Sequence, residues 1–312
     1  MHYLITGGAG FLGSHLANRL IQDGVEVSIY DNLSSGTLDN VKDLLDHPNF
    51  DYIIGDVVDL KNFPTKLDGI FNLACPASPV FYQKVPIETT MTCVLGAYNL
   101  LRLADDHSCK ILQTSTSEVY GDPEVTPQTE DYRGKVNCFG PRACYDEGKR
   151  TAEALFYDFH AQNKTDIRIV RIFNTYGPNM HVSDGRVVSN FIVQALRNEP
   201  ITIYGDGLQT RSFCYVDDMV EALLAVWNSN IQSPVNVGNP GEFTMLELAS
   251  KIIDITGSKS IITINPLPVD DPKQRKPDIT LAKSLNWEPK IPLDLGLRST
   301  VEYFSRILKT GE

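Results

Sequence analysis

A short apolar run, Met1 to Ile5, breaks into Thr6-Gly-Gly-Ala-Gly-Phe-Leu-Gly13 and gives way to Ser14-His-Leu-Ala-Asn-Arg-Leu-Ile21, whose apolar positions recur at helical spacing. The reading is strand, glycine turn, helix. Gly7, Gly10 and Gly13 permit a tight turn, close approach of the backbone to a pyrophosphate, and close packing of helix on strand. The first turn of the helix then offers unpaired N–H groups to the anion. A second strand, Val25 to Tyr30, ends on Asp31, at the spacing of a carboxylate that accepts from an adenosine ribose. Asp31 repels a 2′-phosphate, and no Arg or Lys follows it before Lys42, so the expected dinucleotide is NAD rather than NADP.

Strand-like and helix-like segments keep alternating through the first half. Phe50 to Ile54 precedes Asp56, Ile70 to Leu73 precedes Ala74-Cys-Pro-Ala-Ser-Pro79, Glu88 to Asp106 reads helical, and Lys110 to Thr114 is the next strand. Alternation of this kind implies a parallel sheet covered on both faces. Ligands collect beyond the carboxyl ends of such strands, where Gly7, Asp31, Asp56, Ala74 and Thr114 to Glu118 all fall. The expected fold class is α/β: a doubly wound parallel sheet of Rossmann type with a smaller α/β C-terminal substrate-binding lobe. Past Gly177 the pattern turns irregular and rich in turns. The division places the nucleotide-binding domain at 1–176, with 209–233 returning to it, and the lobe at 177–208 and 234–312.

With 312 residues, 42% of them hydrophobic, the chain can bury a core shared by two lobes. Its net charge of −11 argues against nucleic acid or an anionic membrane as partner, so a phosphate ester must meet locally concentrated cations. No apolar run approaches the roughly 18 residues of a membrane helix, and the first strand begins almost at Met1, leaving no room for a signal peptide. The expectation is a soluble cytoplasmic protein. Cys75, Cys93, Cys109, Cys138, Cys144 and Cys214 show no metal spacing, so no metal site is expected and reduced thiols are the default.

Tyr145 and Lys149 lie four residues apart, on one face of a helix, where an ammonium can favour a phenolate. A free phenol ionises near pH ~10, so a positioned cation is the simplest way to make it a base at neutral pH. Such pairs are common on surface helices, and the dinucleotide motif upstream is what gives this one chemical meaning. The stripe Ala152, Leu155, Phe156 and Phe159 further along is read as core packing, with part of it available to a dimer.

The glycine motif, Thr114-Ser-Thr-Ser-Glu-Val-Tyr-Gly121, Tyr145 with Lys149, and Arg171-Ile-Phe-Asn-Thr-Tyr-Gly-Pro178 resemble the extended short-chain dehydrogenases that act on nucleotide sugars. Within these, Asn137 to Arg150, Asp184 to Phe191, Gly205 to Asp218 and Arg275 to Ile279 resemble the UDP-glucuronate decarboxylases over nearly the whole chain. The resemblance implies tightly held NAD, a UDP-sugar acid as substrate, and a homodimer built on helices near 88–106 and 145–163. It implies catalytic roles for Thr116, Glu118, Tyr145, Lys149 and Arg275. The cofactor would lie along Gly7, Gly10, Phe11, Leu12, Gly13, Asp31, Asn32, Ser35, Gly36, Asp56, Val57, Leu73, Ala74, Cys75, Thr92, Thr114 and Thr175, with His181 and Arg186 near it. Pro79, Tyr82, Ser117, Asn174, Val188, Tyr204, Gln209, Arg211 and Arg275 would hold the nucleotide sugar. Two positions depart from the pattern: Met91 stands where a lysine is usual and Asn179 where an arginine is usual.

The implied chemistry oxidises C4 of the sugar, expels carbon dioxide from C5 through the resulting β-keto acid, and returns the hydride. A 4,6-dehydratase also begins at C4 but uses an Asp-Glu pair after the threonine. This chain has Ser117-Glu118, and a serine, unlike an aspartate, does not repel a substrate carboxylate. A 4-epimerase needs neither Glu118 nor Arg275. A non-catalytic protein that senses NAD on the same fold is a further alternative, against which Tyr145, Lys149 and Thr116 argue.

Overall fold

The computed structural model describes residues 1–266 and 275–310, leaving part of the predicted lobe, 267–274 and 311–312, outside the described residues. Strands His2–Thr6 (β1), Glu26–Asp31 (β2), Phe50–Ile54 (β3), Gly69–Asn72 (β4), Lys110–Thr116 (β5) and Ile167–Ile172 (β6) join Pro234–Val237 in one parallel sheet. Its order is Pro234–Val237, β6, β5, β4, β1, β2, β3. All five β1 residues and all four β4 residues are buried, as expected of central strands covered on both faces. The strand Pro234–Val237, which the sequence division assigns to the C-terminal lobe, is thus the seventh strand of the sheet, paired with Ile169–Ile172. The core does not divide at residue 234: a single cluster runs from Ile5 and Ile29 through Val235 to Phe191, Leu248 and Phe304.

Chain direction across the sheet reverses between β1 and β4, which opens a crevice beyond their carboxyl ends. A buried polar row crosses there: the Thr6 hydroxyl donates to Asn72 Oδ1 at 2.8 Å, and Asn72 Nδ2 donates to Gln113 Oε1 at 2.7 Å. The first helix, Phe11–Gln22 (α1), starts directly after the glycine turn. Gly7 has φ +70°, and a Cβ at Gly13 would lie 2.1 Å from the Gly7 carbonyl oxygen, so a side chain at Gly13 would push the helix off the turn.

The stretch expected as one helix from Glu88 to Asp106 is Pro86–Met91 and Ala97–His107 joined by a π turn, Thr92–Gly96. The turn packs tightly, since a Cβ on Gly96 would meet Val57 Cγ2 at 2.7 Å, and it sets Thr92 on the crevice. Helix Ala143–Asn163 lies against it, with Gly148 close to Cys93. Ala152 and Phe156 are buried in a second core cluster with Leu100 and Ala104, while Leu155 and Phe159 pack on its edge.

The remaining elements cover the crevice from the C-terminal side. Ile201–Tyr204 pairs in parallel with Ile262–Asn265, and Thr210–Ser212 pairs antiparallel with Glu242–Thr244. The helix Met245–Thr256 begins with a capping box in which the Thr244 hydroxyl accepts from Glu247 N at 3.1 Å and the Glu247 carboxylate accepts from Thr244 N at 2.8 Å.

Candidate active site

A cavity of about 340 Å³ occupies the crevice, running from the glycine turn and Asp31 to Tyr145 and Arg275. At the first end, the N-cap of α1 is Gly10, which brings no side chain to the helix terminus. Asp31 Oδ2 accepts from Ala9 N at 3.0 Å and Oδ1 from Leu33 N at 2.8 Å, which fixes the carboxylate and leaves lone pairs on both oxygens. Burial pushes the Asp31 pKa up, against those two backbone bonds. Asp56 is held likewise, by Asn32 Nδ2 at 2.8 Å and Val58 N at 3.0 Å. An uncapped glycine turn that a side chain would fill, followed by a fixed carboxylate, fits the diphosphate and ribose of a dinucleotide.

At the other end, Tyr145 is 6% exposed and stacks on Tyr82, rings 5.0 Å apart and 3° from parallel. Its hydroxyl shares a hydrogen bond with Thr116. Lys149 Nζ donates to the Thr114 carbonyl at 2.9 Å and lies 5.8 Å from the Tyr145 ring centroid. The expected lowering of the phenol is not what the surroundings produce. Burial, with Cys75 and Glu118 nearby, pushes the Tyr145 pKa well above its ordinary value, and the Thr116 bond works the other way.

Thr116 caps the single turn Ser117–Tyr120, which sets Glu118 between two guanidiniums. Arg275 Nη1 donates to Glu118 Oε1 at 2.7 Å, and Arg142 Nη2 donates to Oε2. Burial alone would raise Glu118, but Arg275 and Arg142 outweigh it and hold the carboxyl at about 2. Arg275 spends one donor on this contact. Its Nε and Nη2 are buried without a hydrogen-bond partner among the described residues, and the side chain lines the cavity. Ser117 lines the cavity beside it.

The structure gathers most of the expected residues around this one space. His181, Arg186, Asn174, Thr175, Thr114, Leu73, Ala74, Cys75, Val57, Ser35, Phe11 and Leu12 all line it. Seven do not. Gly36 lies against the glycine turn, where its Cβ would be 2.8 Å from the Ala9 carbonyl carbon. Pro79 opens the one-turn helix that carries Tyr82, and Tyr82 stacks on Tyr145 with its hydroxyl buried and without a partner among the described residues. Val188 is 3% exposed in the core, because it begins an apolar helix that packs inward. Tyr204, Gln209 and Arg211 are not among the lining residues; Gln209 Nε2 donates to the Tyr204 carbonyl, and Arg211 Nη1 donates to the Thr210 carbonyl at 3.0 Å. Of the two departures, Met91 is 42% exposed and does not line the cavity, whereas Asn179 lines it and donates to Ser14 Oγ at 3.1 Å.

Sequence reasoning missed Arg142 and Asp146. Both stand in the same stretch as Tyr145, four residues apart and so on one helical face, which was the available signal. Asp146 is 6% exposed, and its Oδ1 is buried without a hydrogen-bond partner among the described residues. Burial and the neighbouring Glu118 charge push its pKa up to about 8, against the pull of Arg142 and Arg275. Among the described residues, no three His, Cys, Asp or Glu side chains are grouped to hold a metal ion, and no helix is long and apolar enough to cross a membrane.

Residues 3–238 match the model of the NAD dependent epimerase/dehydratase family. UDP-glucuronic acid decarboxylase 1 of Danio rerio is 52% identical over 98% of this chain and 73% of its own length. UDP-glucuronic acid decarboxylase 6 of Arabidopsis thaliana is 52% identical over 97% of this chain and 89% of its own. The solved structure of UDP-glucuronic acid 4-epimerase from Bacillus cereus, in complex with UDP-glucuronic acid and NAD, superposes with a TM-score of 0.88 at 26% identity, covering 98% of this chain and 100% of that one.

Proposed function

The chain belongs to the NAD dependent epimerase/dehydratase family, and from that premise we propose that it decarboxylates UDP-glucuronate to UDP-xylose through a transient 4-keto sugar, with no net oxidation. The observation that carries the reading is Arg275, which lines the cavity together with Tyr145 and Thr116 and whose Nε and Nη2 are buried without a hydrogen-bond partner among the described residues. A guanidinium edge of this kind matches a carboxylate, and Ser117 adds no charge to repel one.

NAD, the cofactor, supplies in its oxidised form a hydride acceptor and a positive charge. Tyr145, bonded to Thr116, takes the proton of the sugar 4-hydroxyl. Burial raises its phenol in the ligand-free site, so the positive charge of bound NAD, with Lys149 5.8 Å from the ring, would be what makes it a base. Oxidation leaves a ketone β to the C5 carboxylate. The C5–carboxyl bond then breaks, its electron pair passes into the enolate, and carbon dioxide departs. Arg275 orients the carboxylate before that step and faces the enolate after it. The enolate would then be protonated at C5 by a proton drawn from solvent, the net reaction consuming one proton, and Glu118, ionised between Arg142 and Arg275, would position the water that delivers it. Tyr145 finally returns its proton to the 4-oxygen as hydride comes back to C4, which closes the cycle.

The working form in this reading is a cytoplasmic homodimer joined through the helices Pro86–Met91 and Ala143–Asn163. Ile87, Met91 and Tyr157, 74%, 42% and 68% exposed on these helices, are the apolar surface it would cover.

The test is incubation of the purified protein with UDP-glucuronate, UDP-galacturonate, dTDP-glucuronate and dTDP-glucose, following carbon dioxide, NADH and product mass. Carbon dioxide from UDP-glucuronate without stoichiometric NADH is the expected result. NADH matching carbon dioxide would mean that a 4-keto-pentose is released. Water loss from dTDP-glucose with no uronate turned over would replace the assignment by a dehydratase.

A further inference from the structure

The loop after β4 and the π turn Thr92–Gly96 bring two thiols to one place: Cys75 Sγ and Cys93 Sγ lie 3.3 Å apart. Cys75 is half-buried and lines the cavity, whereas Cys93 is 3% exposed and does not line it. Cys75 Sγ also lies 3.4 Å from the Pro76 carbonyl oxygen. Cys93 is backed by helix Ala143–Asn163, whose Gly148 comes so close that an added Cβ would lie 2.9 Å from Cys93 Cβ. A buried free thiol is ordinarily a small apolar filler. Two features set this pair apart. The sulfurs touch, only about 1.2 Å farther apart than in a disulfide. The hydrogen bond between them, and beyond it the Lys149 ammonium, bring the Cys93 pKa down against burial, while burial pushes Cys75 up. No step of the proposed reaction uses either sulfur.

We propose that Cys75 and Cys93 are a peroxide-oxidisable pair in the cavity wall, whose closure to a disulfide slows the enzyme until a thiol reductant reopens it. The inference goes beyond the decarboxylase reading and does not rest on it. The oxidant is hydrogen peroxide. One sulfur, as thiolate, attacks a peroxide oxygen; the O–O bond breaks, the leaving hydroxide takes up the thiol proton as water, and a sulfenic acid forms. The second sulfur attacks the first, the S–OH bond breaks, and the hydroxyl leaves as a second water with the second thiol proton. Two electrons pass from the sulfurs to the peroxide, and a dithiol reductant returns them. Because the resolving thiol is already in contact, the sulfenic acid closes before it is oxidised further. Closure draws the loop and the π turn together by about 1.2 Å. Ala74, next to Cys75, packs on the glycine turn, where a Cβ on Gly7 would be 2.8 Å from Ala74 N, and Thr92, next to Cys93, lines the cavity. The cavity is therefore reshaped on both sides of the pair, and a misplacement of about 1 Å can cost up to ~10²-fold in rate.

In the experiment, the NAD-loaded protein is reduced, freed of reductant and treated with hydrogen peroxide; remaining thiols are alkylated and tryptic peptides are mapped by mass spectrometry. Cleavage at Lys84 separates Cys75 from Cys93, so only a disulfide keeps their peptides together. The expected result is that linked pair, with turnover falling at least ~10-fold in step with it and returning on addition of dithiothreitol. Cys93→Ser should keep basal turnover and lose both the link and the inhibition. Cys138, exposed in the loop before helix Ala143–Asn163, oxidises in both proteins and serves as the internal control. Cys75 and Cys93 peptides that stay unlinked in wild type, a link from Cys93 to Cys144 instead, a Cys75–Cys93 link that leaves turnover unchanged, or equal inhibition of Cys93→Ser would each overturn the inference. The mapping reads wild type by mass, so it decides the matter even where the serine variant fails to fold. Failure of the decarboxylase reading leaves the link standing, with turnover then followed on whichever nucleotide sugar the enzyme converts.

Discussion

Replacing Asp146 by Asn should stabilise the ligand-free protein, by an amount that grows with pH. Asp146 titrates near 3.8 when unfolded and about 8 when folded. Its folded value is raised, so the stability it contributes is fully present below 3.8 and is lost as pH rises through 8. Between those values the native chain must hold a proton that the unfolded chain releases. At 1.36 kcal/mol per unit, this costs about 2 kcal/mol at pH 5 and about 4 kcal/mol at pH 7. Asn carries no such cost. Glu118 works in the opposite sense, its folded value of about 2 lying below 4.5, so its contribution is present above pH 4.5 and is lost only as pH falls toward 2. That contribution is common to both proteins over pH 5–8 and drops out of the comparison. If local relaxation recovers about half the cost, the gain is about 1 kcal/mol at pH 5 and about 2 kcal/mol at pH 7, or roughly 2 and 4 °C in melting temperature. Parallel thermal scans of the two proteins at pH 5, 6, 7 and 8 read this directly. A gain of equal size at every pH, or a lower melting temperature for the variant at pH 7, would show that Asp146 is not a buried neutral acid.

Tyr145→Phe should lower turnover at least ~10²-fold while nucleotide-sugar binding is largely kept, because it removes the base and little contact area; near-wild-type oxidation of C4 in single turnovers would refute the role. Asp31→Ala should weaken NAD and relax discrimination against NADP, and an unchanged cofactor preference in binding titrations would mean that another group holds the ribose. Arg275→Ala should lose carbon dioxide release with the fold intact by circular dichroism, and Lys should rescue only in part, since a point charge cannot replace a fork; wild-type release by the Ala variant would remove the carboxylate from this place. Ser117→Asp should impair uronate turnover more than NAD binding, and equal effects on both would argue against a carboxylate beside it.

The cofactor half of the cavity was legible in the sequence because its chemistry is mostly backbone. A glycine turn, a strand end and an acid at fixed spacing specify where N–H groups and one carboxylate must lie, and Gly7, Gly13 and Asp31 stand there in the structure. The substrate half was legible only in part, because its residues come from separated segments brought together by packing. Glu118, Arg142 and Arg275 span 157 positions between the partners of one ion pair, and no local pattern announces that they share a carboxylate. Tyr204, Gln209 and Arg211, expected at the ligand from the resemblance, are not among the residues that line this cavity. The strand Pro234–Val237 escaped the domain division for a related reason: a four-residue strand in a turn-rich stretch shows its place in the sheet only through pairing with β6. The phenol of Tyr145 was misjudged because helical spacing reports the Lys149 charge nearby and says nothing of burial, which here is the larger effect.

Two buried arginine–glutamate pairs in this fold show how a saturated contact differs from a reactive one. Arg171 donates Nε to Glu153 Oε1 at 3.0 Å, Nη2 to Oε2 at 2.7 Å, and Nη1 to the Tyr120 hydroxyl and the Glu130 carbonyl, each at 2.9 Å. Glu153 accepts in addition from Ser115 Oγ at 2.5 Å. Every face of that pair is occupied, so it fastens β6 to the helix Ala143–Asn163 and has nothing left for a ligand. Arg275 and Glu118 are the same residue types at similar burial, but here the carboxylate is shared by two guanidiniums and two donors of the arginine have no partner among the described residues. Leaving buried donors unpaired costs about 1–3 kcal/mol each, a cost that a purely structural pair would have no reason to carry. Under the proposed reading, a chain of net charge −11 would obtain locally the cation that a sugar carboxylate requires, by burying an arginine with two donors unmatched among the described residues. A carboxylate would then relieve the mismatch on binding, and the uncharged pentose left by decarboxylation would not.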